Sequence, residues 1–516
     1  MSARKVLLVL QLLLLIFHQL YAQPTESLPV SLPEQQGVSA TGIINFIEAV
    51  SKSKTELHSF VFLRHGKIVA EGWWNPYKPD LKHTLYSTSK SFTAAAVGFA
   101  ITEQRLHLDD KVISFFPNDL PDTVSPNLAE LTVKDVLMMS DGQAPDPTGA
   151  VVRDTNWART FLATSIVNKP GTTFLYNSAG TYMLSAMVQK VTGQKIIDYL
   201  KPRLFEPLGI SGMDWEISPQ NANTGGWGLR LRTEDMAKFG QLYLQKGNWE
   251  GKQILPKEWV EAATTMKIMQ DPNAPQAKKD SNDWLQGYCY QMWRCRHNAV
   301  RADGAFGQFI IMMPDEDAVI AITAETPDMQ EEINLVWDYL LPSMSTGVLP
   351  SNKKEDARLR HLLSSLALAP PKAMNSPVSP VIKDRRFTLQ PNEKKMQEIS
   401  FELKDNNYEV TIKGDTAIYQ LSFGKDKWAI GETTRPGPNL LTGAKNHLVG
   451  VPAVKIAASY DWKDDHTLEL VLRYIESPHT ETMICHFDGM NISIDVQNSF
   501  DYGHKKTTLQ GAAQPQ

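Results

Sequence analysis

Apolar and polar positions alternate with a period of two just after residue 58. Val61, Leu63, Ile68 and Ala70 keep that period on either side of Arg64-His65-Gly66-Lys67, which predicts a hairpin over Ser59–Trp74. The period then lengthens. Phe92, Ala96, Phe99 and Ala100 recur at helical spacing, so Ser89–Gln104 is predicted helical. Gly42–Ser53 reads as a helix, and Thr233–Gln245 as another, with Met236, Phe239, Leu242 and Tyr243 along one stripe. Between about 105 and 270 several helical patterns are broken by Pro and Gly. Strand signals return at Gly287–Arg296, Gln308–Met313 and Ala318–Thr323, the last two joined by the turn Pro314-Asp315-Glu316-Asp317. Met329–Leu341 follows as an amphipathic helix facing inward through Met329, Ile333, Val336, Trp337 and Leu340.

Strands at both ends and helices in the middle predict an α/β domain over 23–345. Its antiparallel sheet is flanked by helices and interrupted by an inserted helical subdomain. Pro342, Pro350, Pro370, Pro371, Pro377 and Pro380 punctuate the next stretch, so 346–380 is expected to be a linker to a separate folding unit, with one short helix at Lys353–Arg360. Residues 381–516 then read as short strands: Glu398–Leu403, Tyr408–Lys413, Ala417–Phe423, Thr467–Tyr474, Glu481–Phe487 and Asn491–Val496. Turn residues at regular intervals between them predict a small all-β barrel or sandwich.

Composition narrows the function classes. With 42% hydrophobic and 21% charged residues among 516, the chain is globular, and a formal net charge of −5 recruits neither nucleic acid nor anionic lipid. Arg4 and Lys5 precede an apolar run, Val6–Phe17, and Leu20-Tyr21-Ala22 offers a cleavage site. Residues 1–22 are therefore expected to be a signal peptide, with a mature chain starting at Gln23 in a secreted or periplasmic location. The run is shorter than the roughly 20 residues of a spanning helix, so no stable membrane anchor is expected. Cys289 and Cys295 lie six apart in a strand-like segment, too far for a bond without a bulge, and with Cys485 they are expected to be free thiols. No His and Cys spacing suits zinc.

Three short segments carry chemistry. Ser87-Thr88-Ser89-Lys90 opens a helix, and residues i and i+3 share a helix face, so the Lys90 amine can reach the Ser87 hydroxyl. A serine needs a base to act as a nucleophile, and burial near a helix N-terminus favours a neutral lysine. A Ser at a helix start is more often only a cap. Tyr176-Asn177-Ser178 precedes a helix, Ala179–Val191, and can set a phenol and a hydroxyl beside a nucleophile, or simply pack. Ala302-Asp303-Gly304-Ala305-Phe306-Gly307-Gln308 leads into a strand whose edge can receive a substrate backbone, or it is a Gly-rich hairpin turn. His447, His466, His479 and His486 are scattered through the C-terminal region and read as surface or packing residues.

Together and in this order, the three segments resemble the family of penicillin-binding proteins and serine β-lactamases. Leu131–Gly142, Phe205-Glu206-Pro207-Leu208-Gly209 and Gly225-Gly226-Trp227-Gly228-Leu229 are similar to further landmarks of that family. The branch it resembles holds class C β-lactamases, D-alanyl-D-alanine carboxypeptidases, related esterases and 6-aminohexanoate-dimer hydrolases. The resemblance implies a serine hydrolase acting on an ester or amide of a small molecule or a peptide, cell-wall-derived peptides included. A D-alanyl carboxypeptidase, a β-lactamase, or a sensor that acylates without turnover are the alternatives it leaves open. It implies Ser87 as nucleophile, Lys90 and Tyr176 as the acid–base pair, Ser178 on the substrate amide, and Gly304 and Ala305 on the substrate side of the third segment. The N–H groups of Ser87 and Ala305 would hold an oxyanion, and no cofactor or metal is implied. One departure stands out: the family commonly has Lys or His where this chain has Ala302. Spacing does not decide whether Arg294, Arg296 or Arg301 replaces that cation.

Overall fold

The computed structural model describes residues 27–371, 384–441, 443–445 and 448–513. The expected signal peptide and the expected linker beyond 371 lie outside the described residues. In chain order the first domain contains helix α1 (Ala40–Val50), the hairpin β1 (Glu56–Arg64) and β2 (Lys67–Trp73), and helices α2 (Ser89–Thr102), α3 (Ser178–Thr192) and α4 (Thr233–Leu244). Strands β3 (Trp293–Arg294), β4 (Val300–Gly304), β5 (Gln308–Met313) and β6 (Ala318–Glu325) follow, then helices α5 (Met329–Leu335) and α6 (Lys353–Ser364).

The six strands form one antiparallel sheet in the order β2-β1-β6-β5-β4-β3. Phe60, Phe62, Phe309, Ile311, Ile320 and Ile322 point to a core shared with α1 and α5. Val61, Leu63, Ile310, Met312, Val319 and Ala321 point the other way, into a second core with α2 and the inserted helices. Both faces of the central strands are covered, which is why β6 reads as an unbroken apolar run rather than an alternating one. Helix α2 is buried on every side from Ser89 to Ala100, where one inward stripe was expected. The expected strand Gly287–Arg296 is mostly not a strand. Only Trp293-Arg294 joins the sheet, and Tyr288 makes isolated bridges to Ile268 and Trp293, because Gly287 and Gln291 adopt left-handed φ of 107° and 59° and fold the segment back on itself. The first half of the expected linker is seated on the domain: Leu359 of α6 is buried, and Leu363 and Leu366 press on Gly72 of β2.

Among the described residues the C-terminal domain has ten strands: β7 (Arg385–Leu389), β8 (Met396–Lys404), β9 (Asn407–Gly414), β10 (Ile418–Lys425), β11 (Ala429–Thr433), β12 (Val454–Asp464), β13 (Thr467–Arg473), β14 (Thr480–Asp488), β15 (Asn491–Asn498) and β16 (Thr507–Ala513). Their order is β10-β9-β8-β7-β16-β15-β14-β13-β12-β11, and a parallel pairing of β10 with β12 closes the ring into a barrel. Alternate residues such as Leu468, Leu470 and Leu472 fill the interior.

The two domains are joined by partly buried polar contacts. Arg473 forms a two-pronged ion pair with Glu56 at 2.6 and 3.0 Å. The Thr84 N–H donates to the Glu476 carbonyl at 2.9 Å, and Tyr77 Oη donates to the Ser477 carbonyl at 3.2 Å.

Candidate active site

Ser87 sits in a single tight helical turn, Tyr86–Thr88, just before α2. Helix geometry brings Lys90 round beneath it, with Nζ 3.0 Å from Ser87 Oγ. The same amine lies 2.9 Å from Ser178 Oγ and 2.7 Å from the Gly226 carbonyl. It also rests 4.9 Å from the centre of the Tyr176 ring. Ser87, Tyr176 and Ser178 are half-buried, while Lys90 is only 1% exposed. Burial pulls the Lys90 amine down to about 7 against the opposing pull of Asp146 and Asp303. Burial pushes the Tyr176 phenol up from its ordinary value, Asp303 adds to this, and a hydrogen bond with Ser87 works against it.

Asn177 fixes the loop between Tyr176 and Ser178. Its Oδ1 accepts from the Gly180 N–H at 3.0 Å and caps α3, while its Nδ2 donates to Asp141 and to Gln143 at 2.8 Å each. Asp141 is buried, and burial raises its carboxyl well above the ordinary carboxylate range. The hydrogen bond from Asn177 works against that rise. Asn177, Asp141 and Gly226 stood in the motif segments read from sequence, but none of them was given a role there. Asn at a helix N-cap was the one local signal available for any of them.

The third segment is a hairpin. β4 ends at Gly304, the chain turns through Phe306 and Gly307 with left-handed φ of 66° and 92°, and β5 begins at Gln308. A Cβ on Gly304 would lie 2.2 Å from the Leu85 carbonyl oxygen, so the glycine lets the strand touch the turn that carries Ser87. The Thr88 hydroxyl donates to the Gln308 carbonyl at 2.7 Å and ties the same two segments. The Gln308 amide donates to the Ala305 carbonyl at 3.1 Å and holds the turn's shape. Ala302 is completely buried on the side of the sheet that faces α2. Arg301 points to the other side and is also completely buried, with Nε 2.9 Å from Asp303 Oδ2 and its guanidinium 4.3 Å over the Trp284 ring. Arg294 bonds Asn298, and Arg296 bonds Asp283 and Asn334. All three arginines are thus held by protein groups. Cys289, Cys295 and Cys485 are buried free thiols. Among the described residues no cluster of three or more His, Cys, Asp or Glu side chains could hold a metal, and no helix is long and apolar enough to cross a membrane.

The Beta-lactamase family model matches residues 53–342, more than half of the chain and the whole span from β1 to the turns after α5. The chain belongs to the Beta-lactamase family. Within it, 293 residues are 27% identical to the 6-aminohexanoate-dimer hydrolase of Paenarthrobacter ureafaciens, covering 52% of this chain and 73% of that one. An Escherichia coli K12 protein, provisionally named a D-alanyl-D-alanine carboxypeptidase, is 27% identical over 25% of this chain and 33% of its own. Among solved structures, the octameric penicillin-binding protein homologue from Pyrococcus abyssi aligns with 91% of this chain and 99% of its own, at 16% identity and a TM-score of 0.47. The family member described here is a hydrolase by kinship, and its Ser87, Lys90, Tyr176 and Ser178 lie within the matched span.

Proposed function

We propose that this protein cleaves an ester or amide through an acyl-Ser87 intermediate. The observation that carries the reading is the buried amine of Lys90, within 3.0 Å of Ser87 Oγ and brought down to about 7. An amine that gives up its proton near neutral pH has a lone pair to accept the Ser87 proton. The Gly226 carbonyl and Ser178 hydroxyl hold that amine in place from behind. Tyr176, kept as a neutral phenol, is suited to donate a proton to the leaving group. The N–H groups of Ser87 and Ala305 would receive the developing oxyanion, in the order of attack, acylation and release by water.

The substrate reading favours neutral acyl groups. Ala302 offers no cation, the nearby arginines are committed to protein partners, and Asp303 adds negative charge beside Lys90. Short-chain esters and uncharged amides fit this better than β-lactams or D-alanyl peptides, which carry a carboxylate next to the scissile bond. A cell-wall carboxypeptidase or an acylating sensor is the second reading, favoured only by kinship. Residues 1–22 are proposed as a cleaved export signal, which amino-terminal sequencing of secreted material would test.

Labelling with a fluorophosphonate probe tests the main reading. Wild type should be labelled and turn over esters, and Ser87→Ala should do neither, with a rate loss of roughly 10⁶-fold. Equal labelling of both proteins would place the nucleophile elsewhere.

A further inference from the structure

The barrel reaches the residue that precedes the nucleophile. His479, just before β14, places Nε2 2.6 Å from Tyr86 Oη. Its Nδ1 lies 2.9 Å from Glu325 at the end of β6, and Glu325 also accepts from the Ser499 hydroxyl at 2.8 Å. With Glu325 accepting at Nδ1, Nε2 is left to accept the Tyr86 proton. His479 is completely buried, and Tyr86 and Glu325 are 3% and 5% exposed. The contact was not legible in the sequence, where His479 read as a surface or packing residue.

The same imidazole touches the other side of the site. Phe306 meets it edge-on, with ring centres 4.7 Å apart and planes at 90°. Phe306 directly follows Ala305, and Tyr86 directly precedes Ser87. Both Tyr86 and Phe306 hold left-handed φ, at 45° and 66°, a conformation that an aromatic residue keeps only when its surroundings impose it. One barrel side chain therefore braces two strained residues, each one bond away from a proposed oxyanion donor.

We propose that His479 is a positioning residue of the active site: it fixes the spacing of the Ser87 and Ala305 N–H groups through Tyr86 and Phe306. The proposal rests on the reading of Ser87 as the nucleophile. It makes the barrel a working part of the hydrolase and assigns it a task that touches no substrate.

The test uses the full chain and p-nitrophenyl acetate, with Tyr86→Phe, His479→Gln, His479→Leu, the Tyr86→Phe/His479→Gln double variant, and Ser87→Ala. Tyr86→Phe removes one oxygen and leaves the ring, so it decides the matter even if a His479 variant does not fold. Tyr86→Phe and His479→Gln should lower kcat by about 10–100-fold, the effect of a displacement on the order of 1 Å at reacting groups, with KM within about threefold. The fluorophosphonate labelling rate should fall in step. His479→Gln, which can still meet Tyr86, should lose less than His479→Leu, and the double variant should be no slower than the slower single one. Loss through general loosening would not separate kcat from KM or make the two changes non-additive. Retention of kcat within about twofold in Tyr86→Phe, or a double effect equal to the product of the singles, would overturn the proposal while Ser87→Ala stays inert. Labelling of Ser87→Ala would instead overturn the nucleophile reading.

Discussion

Arg301 and Asp303, two residues apart on β4, close an ion pair at 2.9 Å beneath Trp284. The pair holds the strand's cation on the face of the sheet away from Ala302, and the Asp303 charge acts on Lys90. A charge-assisted hydrogen bond to a substrate carboxylate is worth about 1.5–3 kcal/mol, or roughly one to two decades in rate. The wild-type protein should therefore cleave p-nitrophenyl butyrate with at least tenfold higher kcat/KM than a chromogenic cephalosporin. Asp303→Asn removes the negative charge beside Lys90 and should narrow that gap by several-fold, at some cost in stability because buried Arg301 loses its ion-pair partner. Steady-state kinetics on both substrates checks this, and a wild-type preference for the cephalosporin would refute it.

Proton occupancy of Lys90 should appear in the pH profile. The amine is brought down to about 7, so its neutral form grows as pH rises through that value and vanishes below it. Ester kcat/KM should climb about tenfold per pH unit below 7 and level off above. A profile flat from pH 5 to 8 would rule out Lys90 as the base.

Asp141 gives a stability prediction of opposite sign. Its carboxyl is raised well above the ordinary value, so the folded protein holds a proton that the unfolded chain releases near pH 4. Its contribution is full below that pH and is lost as pH rises toward the folded value. Asp141→Asn keeps the hydrogen bond from Asn177 in reach without the proton, so its Tm relative to wild type should improve as pH rises above about 4. Thermal melts across that range measure the difference.

Asn177→Ala should cost more than a surface cap. It removes the α3 cap and leaves Asp141 and Gln143 without their shared donor. About 2–4 kcal/mol of stability should be lost, combining a typical cap with an unsatisfied buried polar group. Urea unfolding reads this directly, and a loss under about 1 kcal/mol would mean the loop is held by other contacts.

Heating should unfold both domains together. Arg473→Ala breaks the ion pair with Glu56 and should lower stability by about 1–3 kcal/mol while leaving one transition. Two separated transitions in wild type would show that the barrel is an independent unit.

Much of the site was legible because its parts are local. Ser87 and Lys90 share a helix face, and Tyr176 and Ser178 flank one cap. Turn-forming residues around Gly304 marked the third segment. The partners that complete the site are not local. The Gly226 carbonyl lies 136 residues from Lys90, and His479 lies 393 residues from Tyr86, so no periodicity links them. In the barrel, β8, β9, β10, β13, β14 and β15 were found, while β7, β11 and β16 were missed although they too alternate. β12 was missed because it is buried on both sides along most of its length: Ala458 and Tyr460 face the barrel interior, and Ala457 meets Tyr77 of the first domain. Gly287–Arg296 failed for the converse reason, since β-prone aromatic residues there fill a folded-back loop around Met139.

Gly304 bears on how mutational surveys of this protein should be understood. Any side chain there meets the Leu85 carbonyl oxygen at 2.2 Å, so every substitution should be lost under selection for activity as completely as a change at Ser87. A map of tolerated residues would score the two positions alike. Under the proposed mechanism, one would be intolerant because it reacts, the other because it must leave room for the residue that does.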